Sequence, residues 1–185
     1  MGEMRTFTEI INLAEQNQWC VRPNCTTCGS HEFREELKKL TGEHGAGIAD
    51  ALCATSVGAL QNLTNWDDAV HVALGEIDEA RDMDRVLKSW LPTLQSNIEL
   101  ADLVLFYFVK RGAIFAPMSV EVLNEWINAC KGLAIITKHE SLLESLIYTL
   151  GDRIGDDQEL MKIIEAASID SRKIRRALEK SANYI

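Results

Sequence analysis

The run Leu103–Val109, LVLFYFV, decides between two fold classes. Seven apolar or aromatic residues in a row suit either a buried strand or one turn-rich stretch of a buried helix. Its surroundings favour the helix, because nearly the whole chain repeats its apolar residues at helical spacing and no comparable run alternates with period two. The neighbouring AIFAPM segment, residues 113–118, is the other stretch that can be extended. With the run taken as a helix, the sequence predicts an all-α protein of roughly eight or nine helices joined by short loops.

The flanking helices are marked by their apolar stripes. Thr6 stands three before Glu9, a capping-box spacing, and Phe7, Ile10, Ile11 and Ala14 follow on one face. Trp66, Ala69, Val70, Ala73 and Ile77 form a second stripe after Thr64. Val86, Leu87, Trp90, Leu91 and Leu94 form a third after Asp84, which Pro92 kinks or ends. Leu123, Trp126, Ile127 and Cys130 share a face, as do Leu142, Leu143, Leu146, Ile147 and Leu150. Asp156 stands three before Glu159, ahead of Leu160, Ile163, Ile164 and Ala167, and the last helix carries Ile174, Ala177 and Leu178. From His139 on, two consecutive helix pairs suggest an α-solenoid. No fixed period supports it, so a compact irregular multi-helix bundle is expected.

At 185 residues and 46% hydrophobic content, the chain can fill a core without disulfides, and one domain over residues 1–185 is expected. Net charge is -9 and the pI about 5.0, so phosphate backbones and anionic lipid are repelled by the surface as a whole. The N-terminus lacks a cationic start followed by an apolar segment, and no apolar run approaches the roughly 20 residues that cross a bilayer. A soluble cytoplasmic protein with no membrane partner is therefore expected, its thiols reduced.

Against that background the stretch WCVRPNCTTCGSH, residues 19–31, stands out. Three of the five cysteines, Cys20, Cys25 and Cys28, fall there with His31, as C-x4-C-x2-C-x2-H. Two residues between Cys25 and Cys28 let both sulfurs meet one metal, and Gly29 permits the turn that aims backbone N–H groups at sulfur. Ser30 is a natural N-cap, which places His31 at the start of a helix burying Phe33, Leu37 and Leu40. Cys20, Cys25, Cys28 and His31 would complete a closed tetrahedral zinc site, structural in kind, pinning the first helix to the second. Cys53 is the reserve ligand should His31 be solvated; otherwise it is a small core residue beside Ala49, Val57 and Leu60, as Cys130 is in its own stripe.

CVRPNCTTC, residues 20–28, also resembles the cluster-binding loop of plant-type ferredoxins. The resemblance covers nine residues and implies an iron–sulfur cluster held by Cys20, Cys25 and Cys28, with Cys53 the nearest fourth cysteine. Unliganded, redox-active thiols at Cys25 and Cys28 are the remaining alternative.

Other clusters are read more plainly. His71 lies within a helical turn of Asp67 and Asp68 and is expected to pair with carboxylate at the surface. The glycines of TGEHGAGIAD, residues 41–50, are expected to give a flexible entry to a helix, and Ser56 to lie mid-helix. At the C-terminus Arg172, Lys173, Arg175, Arg176 and Lys180 crowd one helix of an acidic protein, a candidate surface for a polyanion or a protein partner. The acidic run Glu76, Asp78, Glu79, Asp82 and Asp84 is its counterpart, able to receive a basic partner or this helix from a second copy.

No nucleophile with a base, no paired carboxylates and no open metal site emerges. The sequence is thus read as a non-catalytic adaptor, inhibitor or immunity-type protein whose acidic surface serves a protein partner, with a structural zinc. A redox protein and a nucleic-acid-binding regulator using the last helix are the alternatives.

Overall fold

The computed structural model describes residues 5–23, 25, 27, 31–111, 117–151, 156–168 and 171–182. Among them there are eleven α-helices and no strand: α1 (Phe7–Gln16), α2 (His31–Lys38), α3 (Ala46–Ala54), α4 (Val57–Gln61), α5 (Trp66–Gly75), α6 (Ala80–Trp90), α7 (Ile98–Arg111), α8 (Val120–Thr137), α9 (Glu140–Leu150), α10 (Gln158–Ser168) and α11 (Arg172–Ala182). Short 3-10 helices span Glu43–Gly45 and Leu91–Ser96. The chain forms two compact units: Met1–Trp90 with Pro117–Val122, and Leu91–Ala116 with Leu123–Ile185.

In the first unit, α1 starts where the capping box places it. The Glu9 N–H donates to Thr6 Oγ1 at 3.2 Å, and the Thr6 N–H donates back to the Glu9 carboxylate at 2.6 Å. The Thr6 N–H, together with the Thr6 hydroxyl that donates to the same carboxylate at 3.0 Å, holds the Glu9 carboxyl below the usual range. Phe7, Ile10, Ile11 and Ala14 are buried, and α1 packs on α2 and α3. Phe33 and Leu37 line the buried side of α2, while Ile48, Ala49 and Leu52 on α3 are buried where that helix meets α6 with its Met83, Val86 and Leu87. Each of the larger side chains contributes roughly 1.5–3 kcal/mol by leaving water.

The second unit answers the question posed by LVLFYFV. Leu100, Ala101, Val104 and Leu105 are buried, a spacing of one and four that only a helix gives, and Asn97 caps the helix by accepting the Leu100 N–H at 3.0 Å. Helix α7 packs on α9, and α9 on α11, which also meets α10. Leu142, Leu143, Leu146 and Ile147 on α9, Leu160 and Ile164 on α10, and Ile174 and Ala177 on α11 are buried. Within the described part of AIFAPM, Pro117 and Met118 form a bend before α8; the rest lies outside the described residues.

Four boundaries differ from the sequence reading. Asp84 lies within α6 instead of before it, because its Oδ1 accepts the Ser119 N–H at 2.9 Å. Thr64 does not cap α5; its hydroxyl donates to Glu15 at 2.8 Å and Asn65 precedes the helix in a left-handed conformation. The cap of α10 is Asp157, one residue beyond Asp156, accepting the Leu160 N–H at 3.0 Å. Finally, α3 stops at Ala54: Thr55 turns extended, and Ser56 caps the separate helix α4 by accepting the Ala59 N–H at 3.2 Å. Cys53 therefore does not share one helix with Val57 and Leu60. Pro92 does end α6, which passes at Leu91 into a 3-10 turn.

Candidate functional site

The cysteine-bearing connection begins where α1 ends. Gln18 adopts positive φ, and the Trp19 N–H donates to Ala14 O at 2.8 Å, which turns the chain out of the helix. Val21 is buried and anchors the segment, with Cys20 half-buried beside it. Cys25, also half-buried, closes a turn by donating its N–H to Arg22 O at 3.4 Å. His31 is the exposed first residue of α2, as its expected place beside an N-cap requires. Cys20, Cys25 and His31 thus lie on the connection between two helices that pack together. Cys28, Gly29 and Ser30 lie outside the described residues, and among the described residues no three of His, Cys, Asp and Glu are grouped to hold an ion. Cys53 sits half-buried on α3, within electrostatic reach of Arg85 on α6.

That arginine explains what becomes of the acidic run. Arg85 donates to Asp50 at 2.7 Å, which raises its pKa, and lies 3.3 Å from Asp82 Oδ1. Asp82 is 2% exposed, and its Oδ2 has no hydrogen-bond partner. Asp82 lies in the first turn of α6. Glu76 pairs with Arg34, and Asp84 is taken by Ser119. Only Asp78 and Glu79 are left exposed, with His44 Nδ1 3.7 Å from Glu79. Five acidic residues close in sequence are therefore mostly spent inside the first unit, not displayed as one surface.

The glycines of residues 41–50 are also structural. Gly45 has φ +81, and a Cβ on it would sit 2.5 Å from Glu76 O; one on Gly47 would sit 1.5 Å from Leu40 O. They are required because neighbouring backbone passes directly over them. A pocket of about 570 Å³ opens nearby, lined in part by Thr6, Ala51, Thr55 and Ser56. Three of its hydroxyls are engaged: Thr6 and Ser56 in caps, Thr55 with Ala51 O at 2.8 Å. On α5, half-buried Asp68 has its carboxyl raised by burial and by Asp67 beside it.

The second unit contains a polar cluster that spacing does not reveal. Asp102 accepts the hydroxyls of Ser141 at 2.5 Å and Ser145 at 3.0 Å, tying α7 to α9 through its interior. Cys130 on α8 is fully buried, and that burial, with the Asp102 carboxylate adding to it, pushes its thiol up to about 12. Lys131 pairs with Asp157, which lowers that carboxyl.

Helix α11 is the other feature. Ser171 caps it, accepting the Ile174 N–H at 3.2 Å, and donates its own hydroxyl to Glu140 of α9. Ile174 and Ala177 are buried, so the apolar side is spent on the fold. Arg172, Lys173, Arg175, Arg176 and Lys180 are all exposed, and none makes an ion pair with a described residue. Arg172 and Lys173 occupy the first turn, which has no acidic residue and where the helix dipole disfavours cations. Arg172, Arg176 and Lys180 repeat at four-residue intervals, so like charges stack along one line. Local stability argues against the cations of the first turn and against the stacked line, while Lys180 in the last turn suits the helix dipole.

No described helix is long and apolar enough to cross a membrane. Compared with known proteins, the chain matches no family model, no curated protein and no solved structure.

Proposed function

We propose that this chain is a non-catalytic binding protein of the cytoplasm that engages a negatively charged partner through the outer face of α11. The observation that carries the reading is the set of five exposed cations held on that face without an ion pair to any described residue, in a chain whose net charge is -9. Cations crowded into the first turn and stacked along one line, where the helix itself gains nothing from them, are explained by an external anion. Binding to poly-L-glutamate is expected to weaken steeply with salt and to be lost in Arg172→Glu, Arg176→Glu, Lys180→Glu. Undiminished binding by that variant would remove α11 from the contact.

The N-terminal connection holds, on the same reading, a structural zinc. Three thiols and one imidazole within twelve residues are a donor set suited to zinc, and the described members sit between α1 and α2, where an ion would act as a staple. Colourless protein carrying one zinc per chain is expected, with the metal lost in Cys25→Ser, Cys28→Ser. Amide exchange should then quicken in α1 and α2 while α3 and α6 keep their protection. Full zinc occupancy in the double variant would exclude the knuckle, and brown protein containing iron and sulfide would transfer the site to a cluster.

A further inference from the structure

We infer that the occupant of the α11 face is an acidic helix of a partner protein, with carboxylates at four-residue intervals, and not a nucleic acid. This rests on the reading of α11 as the contact face and adds the shape and spacing of what it contacts.

Three features select the partner. The first is register: Arg172, Arg176 and Lys180 are separated by about 6 Å steps along the axis, the same repeat that Asp or Glu residues make along one line of a facing helix. The second is Glu179, exposed on α11 three and four residues from Arg176 and Arg175, with no ion pair to a described residue. A carboxylate set among the cations repels a phosphate strand, whereas a protein helix can answer it with one lysine or arginine.

The third is width. Helices α9 and α10 pack beside α11 and carry exposed Glu140, Glu159 and Glu165. Packed helices lie about 8–10 Å apart, and a helix seated in a major groove has phosphate ridges about 12 Å apart on its two sides. The five exposed cations of this face all belong to α11, so the basic strip is one helix wide and suits a ligand of that width. Its eleven residues extend about 17 Å, enough for three registered pairs. An anionic bilayer is a poor match for the same reason of width, and because Ile174 and Ala177 are turned into the protein and unavailable for insertion.

The test uses the full chain and fluorescence anisotropy at low salt. The probes are an alanine-based helical peptide with glutamate at every fourth position and one lysine, the same composition with its glutamates distributed around the helix, and a DNA duplex of about 20 base pairs. The registered peptide is expected to bind at least about tenfold tighter than either alternative, and to lose at least about tenfold in Arg172→Glu, Arg176→Glu. In Glu179→Gln the preference over the duplex should narrow.

Tighter binding of the duplex would overturn the choice of partner while leaving α11 as the contact face. Equal binding of the two peptides would overturn the spacing. Failure of all three probes, with the circular dichroism of the protein unchanged, would overturn the contact face itself. Self-association in sedimentation that charge reversal abolishes would assign the face to a second copy, and so overturn the inference.

Discussion

Gly47→Ala is expected to destabilise the first unit by about 3 kcal/mol or more, while Gly132→Ala stabilises the protein by about 0.5–1 kcal/mol. The two glycines are both helical, so propensity alone predicts the same small gain at each. Surroundings reverse the sign. A methyl group on Gly47 would fall 1.5 Å from the carbonyl oxygen of Leu40, and what must give way is backbone, since the Gly47 N–H also donates to Thr41 O at 3.0 Å. The turn after α2 is therefore locked against the first turn of α3. Gly132 lies on the exposed side of α8 and has nothing within 4 Å of the added carbon. Urea titration of both variants gives the comparison directly. Wild-type stability in Gly47→Ala would mean that the chain between α2 and α3 runs elsewhere.

The same contrast shows what can be read along the chain and what cannot. The all-helical character was legible, even at Leu103–Val109, because buried residues recur at helical spacing over α7. The start of α1 was legible because both halves of its capping box lie within four residues. Caps failed where a polar side chain finds a distant partner: Asp84 takes a backbone N–H 35 residues away, and Thr64 a carboxylate 49 residues away. The break between α3 and α4 carries neither glycine nor proline; Thr55 bonds back to Ala51 while Ser56 starts a new cap, so a short-range hydroxyl pair ends the helix. Charge was legible as composition, but not as partnership. From the sequence alone the acidic run and the basic helix look like matched surfaces. Arg34, Arg85 and Ser119 absorb most of the first, and among the described residues nothing absorbs the second. Asp102 was visible only as an interruption in an apolar run, because its serine partners lie 39 and 43 residues further on.

Cys130 should react with iodoacetamide at pH 8 about a thousandfold more slowly than an ordinary accessible thiol. At that pH a thiol of pKa about 12 is ionised to about one part in ten thousand, and one at the ordinary value of 9.0 to about one part in ten. Full burial slows the reaction further, so the protein should release this cysteine to label only on unfolding. The same shift sets an alkaline limit on stability. In the unfolded chain Cys130 loses its proton near pH 9, whereas in the folded chain it keeps the proton until about pH 12. Between those values the unfolded state binds fewer protons, so stability falls as pH rises, by about 1.4 kcal/mol per pH unit. The contribution is complete below pH 9 and gone once the folded thiol has ionised, a total on the order of 4 kcal/mol. Cys130→Ala removes this slope and leaves every other alkaline group in place. The difference in unfolding free energy between wild type and variant, measured at pH 8 and at successive steps above pH 9, should therefore shrink in favour of the variant as pH rises. A difference that stays constant with pH would show that the Cys130 thiol ionises as easily in the fold as outside it, and that neither its burial nor the Asp102 carboxylate acts on it.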